Sequence, residues 1–410
     1  MGYVRVKDFA KIRRGASPRP IADPKYFGGN VGWVRIVDVS NSKKYLRKTT
    51  QYVSVLGESL SVKVDKGDLI MSIAGTVGRP IIIDMPACIH DGFVHIYDLK
   101  NVENEYLYYY LQFIEDSIKG FGQSGTQVNL NTAIVGNLKI FLPIHKIEQT
   151  TITNILSVID QAIEKTEQLI TKYERIKTGL MQDLLTRGID EQGNIRTEET
   201  HEFKDSVVGR IPKEWEVKKL DECSIIIMGQ SPMGNTYNSE GKGVPLINGP
   251  VEFGEIYPTK IQWTTSPTKN CAPGDVLFCV RGSTTGKMNI SNDLYCIGRG
   301  VAAIRGIPNI SKTLFLEYQL ISLAEEILSE ARGSGSTFPS INSSRLKHTK
   351  IAIPTIKEQN EIIRLIENNR EILLNTKNNL KKLYKIKTAL MQDLLTGNVR
   401  VDSLMDNQIN

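Results

Sequence analysis

"IKTGLMQDLLT" at residues 176–186 returns as "IKTALMQDLLT" at residues 386–396, with one difference in eleven positions. Such a phrase does not recur by chance 210 positions apart, so the chain carries an internal duplication whose extent sets the domain plan. Upstream, "LPIHKIEQ" (142–149) resembles "IPTIKEQ" (353–359), allowing one inserted residue. "GQSGTQVNLN" (122–131) resembles "GSGSTFPSIN" (333–342), with Gly122/Gly333, Thr126/Thr337 and Asn131/Asn342 in step. "KGDLIMSIAGTVG" (66–78) aligns with "PGDVLFCVRGSTTG" (273–286), and "IRRGASP" (12–18) with "IIMGQSP" (226–232). The plan is domain, helix, domain, helix. The helices have stayed alike and the domains have diverged, which is the pattern of a reader with two different heads on equivalent supports.

The helical stretches carry a heptad seam. Steps of four and three from Ile152 land on Leu156, Ile159, Ile163, Thr166, Ile170, Tyr173, Lys177, Leu180 and Leu184. The second copy gives Ile362, Ile366, Asn369, Leu373, Thr376, Leu380, Leu383, Lys387, Leu390 and Leu394. Most of these are apolar or aromatic, and a sustained 3.5-residue period predicts a long coiled-coil helix. Glu148 to Thr186 is 39 residues, a helix roughly 58 Å long at 1.5 Å per residue. A single apolar stripe needs a partner. The other helix of the same chain can supply it, parallel or antiparallel, and so can a helix of another chain. The connector 187–215 is polar and punctuated by glycine, so it can route the chain either way.

The domains read as strand-rich. "GWVRIVDVS" (32–40), "YVSVLG" (52–57), "DLIMSIAG" (68–75), "PIIIDM" (80–85) and "GFVHIYDL" (92–99) are β-branched and aromatic runs broken by Gly, Asp and Pro. A helix over 104–120 follows them, mirrored by one over 311–333. Each domain is therefore expected to be α+β. Tyr108, Tyr109 and Tyr110 invite a base-stacking role, but at helical spacing they belong to the core.

The chain of 410 residues is long enough for two or three domains. It has no apolar run of membrane-spanning length and no signal sequence at its start, so a cytoplasmic protein is expected. Five scattered cysteines without a C-x-x-C pair read as small buried hydrophobes, and His90 and His95 form no ligand cluster, so no metal is expected. The net charge is +6, and residues 1–142 hold the largest surplus, 18 Lys/Arg against 13 Asp/Glu. That favours a phosphate-bearing partner weakly. No phosphate-binding loop, nucleophile elbow or H-E-x-x-H is present. "DPKY" (23–26) falls one proline short of the adenine-methyltransferase motif and reads as a turn. The chain shows no catalytic tools.

Two diverged domains, each followed by a near-identical helix ending "LMQDLLT", together with "LPIHKIEQ"/"IPTIKEQ" and "IPKEWEVKKL" (211–220), resemble the specificity subunit of type I restriction–modification systems. The resemblance covers nearly the whole chain; the extra residue in "LPIHKIEQ" departs from the usual pattern only at a domain–helix junction. It implies an α+β fold of two tandem target recognition domains, joined by two long helices in an antiparallel coiled coil with pseudo-twofold duplication. The layout would be recognition domain 1–142, helical region 143–187, linker 188–213, recognition domain 214–352, helical region 353–397 and tail 398–410. Each domain would read one half of a bipartite, asymmetric double-stranded DNA target. The coiled coil would set the spacer and dock two methyltransferase subunits, which use S-adenosylmethionine, and motor-nuclease subunits would join. The chain itself would hold no cofactor and catalyse nothing. Competing readings are a coiled-coil interaction scaffold without DNA binding and a degenerate methyltransferase.

Recognition residues should be polar side chains on loops that differ between the domains, because phosphate contacts orient and base-edge contacts specify. Arg suits guanine and Gln suits adenine. The candidates are Arg13, Arg14, Ser17, Arg19, Gln123, Thr126, Gln127 and Asn129 in the first domain. In the second they are Gln230, Ser231, Asn248, Arg281, Arg299, Ser336, Thr337 and Ser340.

Overall fold

The computed structural model describes residues 2–119, 130–332 and 340–401. The chain forms two units, residues 1–168 with 378–410, and residues 169–377. Two long helices, Lys146–Thr186 and Ile356–Leu395, each contribute to both units.

All twenty heptad-seam positions are buried or half-buried, the polar ones included. Pairing of the two helices is antiparallel within each unit. In the first, Asp160 meets Lys387 at 2.7 Å and Glu167 accepts from Tyr384 at 2.7 Å. In the second, Glu174 meets Lys377 at 2.9 Å, while Leu184 further along one helix shares a core with Ile362 further back on the other. The partner of each helix is the other helix of the same chain.

The first unit opens with strand Gly2–Arg5 paired antiparallel to Lys139–Leu142. A five-stranded sheet runs Lys11–Arg14, Phe93–Tyr97, Leu69–Ser72, Pro80–Ile83, Tyr45–Leu46. A four-stranded sheet runs Gln51–Val53, Phe27–Val34, Ala87–Ile89, Val62–Val64. The second unit repeats this: Glu216–Lys219 pairs with Lys350–Ile353, and Ser224–Met228, Val301–Gly306, Val276–Cys279 and Met288–Ile290 form one sheet. Its other sheet has five short strands, in which Val244–Ile247 runs parallel to Tyr295–Ile297, as Phe27–Val34 runs parallel to Ala87–Ile89.

Two of the expected strands are shorter than their β-branched composition suggests. Ile36–Ser40 and Val55–Ser59 are short helices. Asp38 causes the first: its carboxylate accepts from Arg35 N at 2.9 Å, capping the turn, and from Thr50 N at 2.9 Å. Ser54 Oγ caps the second through Gly57 N at 3.2 Å. Local capping thus overrides strand propensity. The helix expected over 104–120 breaks at Ile114 into Asn104–Phe113 and Glu115–Lys119, and its mirror breaks at Leu323 into Thr313–Ser322 and Ala324–Arg332. Tyr108, Tyr109 and Tyr110 are core residues, as are all five cysteines. Asp23 caps the turn Pro24–Tyr26 within "DPKY".

The repeated phrase has a packing role. Met181, Leu184 and Leu185 sink into the core of the second unit beside Trp215, Phe315, Ile362 and Ile366. Met391, Leu394 and Leu395 do the same in the first unit beside Tyr106, Leu107, Ile152 and Leu156. Each such burial stabilises by about 1.5–3 kcal/mol. Each core therefore holds the start of one long helix and the end of the other.

Candidate nucleic-acid interface

In each domain four loop segments meet in one hydrogen-bonded row. In the first, Gly15 N donates to Phe93 O at 2.9 Å and Ala16 N to Ile89 O at 3.1 Å. Ile73 N donates to Gly92 O at 2.8 Å, and Leu130 N to Ile73 O at 3.1 Å. In the second, Gly229 N donates to Val301 O and Gln230 N to Ile297 O, both at 2.9 Å. Val280 N donates to Gly300 O and Ile341 N to Val280 O, again both at 2.9 Å. These bonds align the two domains residue by residue. Gly15 matches Gly229, Ser17 matches Ser231, Ile73 matches Val280, and His90-Asp91-Gly92 matches Gly298-Arg299-Gly300.

The described candidates of the first domain gather around 90–92. Arg14 Nε donates to Asp91 O at 2.7 Å, Ser17 Oγ to Asp91 Oδ1 at 2.7 Å, and Arg19 Nη2 to Asp91 Oδ2 at 3.1 Å. Arg13 sits on the adjoining strand, its Nε donating to His95 Nδ1 at 3.1 Å and its Nη2 to Lys63 O at 2.7 Å, with its guanidinium 5.1 Å above the Tyr97 ring. Burial holds the His95 ring below the usual histidine range, so it accepts from Arg13 as a neutral imidazole.

In the second domain Ser231 Oγ accepts from Arg299 N at 3.2 Å. Asn248 packs against both glycines flanking Arg299: a Cβ at 298 would lie 2.2 Å from Asn248 Oδ1, and one at 300 would lie 2.4 Å from Asn248 O. The Asn248 amide donates to Gln262 Oε1 at 2.9 Å. Gln230 is exposed, and Arg281 and Ser340, also exposed, form an isolated antiparallel bridge one residue beyond Val280. Every described candidate thus lies on or beside the loop row of its domain. Gln123, Thr126, Gln127, Asn129, Ser336 and Thr337 lie outside the described residues. Asn131 and Asn342 are helix N-caps, accepting from Ile134 N and Arg345 N at 2.8 and 2.9 Å.

Sequence reasoning missed a second set of paired residues, at the helix ends. Glu358 takes a bidentate contact from Arg196, at 2.5 and 3.2 Å, and accepts from Ile189 N at 3.0 Å and Trp215 Nε1 at 3.2 Å. Its counterpart Glu148 takes a bidentate contact from Arg400, at 2.9 and 3.3 Å. Beside them, Gln149 Oε1 accepts from Glu103 N at 2.8 Å while its amide donates to Asn101 O and Pro143 O at 3.1 and 3.0 Å. Gln359 repeats this with Lys312 N at 2.8 Å, Ile310 O at 3.0 Å and Pro354 O at 2.9 Å. Both glutamines are fully buried. The signal was present in the sequence: "GNIR" (193–196) and "GNVR" (397–400) are a further repeat, out of step with the 210-residue offset.

Paired helices carrying two domains that share the strand order of their central sheets and differ in their loops define a duplicated recognition protein. Residues 1–175 and 212–383 match the family model described as the type I restriction modification DNA specificity domain. The putative type I restriction enzyme MjaX specificity subunit of Methanocaldococcus jannaschii is 34% identical over 307 residues, 74% of this chain and 69% of that one. The MjaVIII specificity subunit of the same organism is 25% identical, over 98% of this chain and 93% of the relative. The fold matches a chain from the complex assembly and conformational transition of the type I R-M system, with a TM-score of 0.62 at 22% identity over 97% of this chain and 98% of that one. The chain belongs to the specificity subunits of type I restriction–modification systems. Among the described residues no helix is long and apolar enough to cross a membrane.

Proposed function

We propose that each domain reads one half of a split, asymmetric double-stranded DNA target through its loop row. The paired helices set the unread spacer and hold two methyltransferase subunits in equivalent poses. In this reading the chain supplies sequence recognition and no chemistry. S-adenosylmethionine belongs to the methyltransferase partners, and motor-nuclease subunits join to cut unmodified DNA.

The observation that carries this reading is the contrast within the duplication: equivalent loops bear different polar groups, while the outward face of the helices is nearly the same twice. Ile176, Thr178, Gly179 and Gln182 are exposed, as are Ile386, Thr388, Ala389 and Gln392. Exposed isoleucines at matched positions suit a protein partner that binds twice.

The test is a methylome. The chain is co-expressed with its partner methyltransferase in a host lacking both, and methylated adenines are mapped against a control without the chain. A split motif methylated only in the chain's presence is the expected result. Co-purification of the partner without any new motif would move the chain to the scaffold reading. Inserting four residues after Gln168, about 6 Å of helix, should lengthen the motif's spacer by about a base pair and leave both half-sites unchanged.

A further inference from the structure

Among the described residues the two loop rows reverse the sign of charge at one matched position. Asp91 and Arg299 occupy the same place, between residues whose backbone bonds are equivalent in the two domains. Each lies beside the same serine, and the serine has reversed its role. Ser17 donates its hydroxyl hydrogen to the Asp91 carboxylate, whereas Ser231 accepts from the Arg299 backbone. An acidic residue in one domain thus holds the backbone position that an arginine holds in the other.

The surroundings differ to match. The Asp91 carboxylate is half-exposed and fixed by Ser17 and Arg19. The Ser17 bond above all, with the Arg19 charge behind it, keeps that carboxyl below the usual carboxylate range. A carboxylate offers about four lone-pair directions, so two bonds leave acceptor capacity toward solvent. Arg299 is exposed, and among the described residues its guanidinium has neither hydrogen bond nor ion pair. Its backbone is pinned by Ser231 and by the packing of Asn248 against Gly298 and Gly300. A fixed backbone beneath a free five-donor fork suits bidentate reading of guanine O6 and N7. An oriented acceptor suits an exocyclic amino group, cytosine N4 or adenine N6.

We propose that Asp91 and Arg299 are the matched specificity-determining residues of the two domains, Asp91 reading an amino-bearing base in one half-site and Arg299 reading a guanine in the other. Ser17 and Arg19 are positioning residues that aim Asp91. The inference rests on the half-site reading above.

The test is again a methylome, with the full chain and its methyltransferase partner, comparing wild type with Arg299→Ala and Asp91→Asn. Asn retains an oxygen to accept from Ser17, so this substitution preserves the loop, and Arg299→Ala removes only an exposed side chain. Arg299→Ala should keep the spacer and one half-site intact and turn one guanine of the other half-site degenerate, discrimination there falling about 10- to 100-fold. Asp91→Asn should relax one adenine or cytosine position of the half-site that Arg299→Ala leaves alone. Three outcomes overturn the proposal. Unchanged motifs in both variants would remove Asp91 and Arg299 as readers and leave the half-site reading standing. A uniform loss of methylation without degeneracy would make Arg299 a phosphate contact instead. The absence of any split motif with the wild-type chain would overturn the half-site reading and the inference with it.

Discussion

At the helix ends the two units repeat the same glutamate–arginine and glutamine contacts, and at the loop rows they oppose each other. Glu148 with Arg400 and Gln149 with three backbone groups are repeated as Glu358 with Arg196 and Gln359 with three backbone groups. Asp91 and Arg299 show the contrary. The difference follows from burial. Both glutamates are enclosed, with 3% and 9% of their side chains exposed, and removing one partner of a buried pair strands the other charge. Neither half of such a pair can drift alone, so both copies stay as they were. An exposed loop residue can change sign at little loss of stability.

The largest expected effect probes the inequality within that match. Arg196 is 10% exposed and its glutamate also serves Trp215 and Ile189, while Arg400 is 46% exposed. Glu358→Ala should therefore destabilise the second unit by about 3–5 kcal/mol. Glu148→Ala should take only about 1–2 kcal/mol from the first, because the Arg400 side chain is already 46% exposed to water in the folded chain. Hydrogen exchange followed separately over 313–322 and 104–113 measures both. Equal losses in the two units would mean that exposure does not set the strength of these contacts.

A second inequality lies on the helices that cover the cores. Counting from their caps, Glu103 and Lys312, Tyr108 in one unit stands where Glu317 stands in the other. Burial pushes the Glu317 carboxyl up to about 7, against the pull of Arg370, and its Oε2 has no hydrogen-bond partner. Because the folded value lies above the unfolded one, this group's contribution to stability is full below about pH 4.5. It is lost as pH rises toward 7 and is flat beyond. A rise from 4.5 to about 7 corresponds to about 3 kcal/mol. The second unit should lose that much between pH 4.5 and 8 through this residue, and Glu317→Gln should remove the slope. Urea unfolding of the variant at both ends of the range decides it; a slope surviving the substitution assigns the effect to another group.

How far the sequence reaches is visible in these same residues. The heptad seam was legible because a 3.5-residue period leaves a mark at every turn, and all twenty positions it named are at least half-buried. The loop candidates were legible as a set, since the duplication aligned their segments. Asp91 was not, because contacts between segments distant in sequence are what reveal it: a side-chain bond shows that it faces Ser17, and backbone bonds show that it matches Arg299. Arg196 and Arg400 were hidden by a change of offset, and the short helices at 36–40 and 55–59 by side-chain caps that β-branched composition does not report.

Gln149 and Gln359 give the sharpest test of equivalence, because their bonds correspond one to one. Replacing either by Ala leaves one part-buried backbone N–H and two carbonyls without their partner, a loss of about 1–3 kcal/mol. The two substitutions should agree within about 0.5 kcal/mol in the exchange of their own units. Disagreement beyond that would show that matched geometry hides unmatched packing.

The smallest effect concerns the surface of the helix pair. Glu174 and Lys377 meet at 2.9 Å with 52% and 39% of their side chains exposed. At such exposure water and salt screen the attraction, and holding two long side chains in register costs entropy, so Lys377→Met should change stability by less than about 1 kcal/mol. The same substitution at Lys387, which meets Asp160 with only 15% of its side chain exposed, should be felt more. If the helices hold together through their seam, Leu373→Ala will outweigh either lysine, at about 2–5 kcal/mol. A larger loss at Lys377 than at Leu373 would place the pairing energy on the surface. The near-identity of the two helical phrases would then need an explanation in charge rather than in apolar burial.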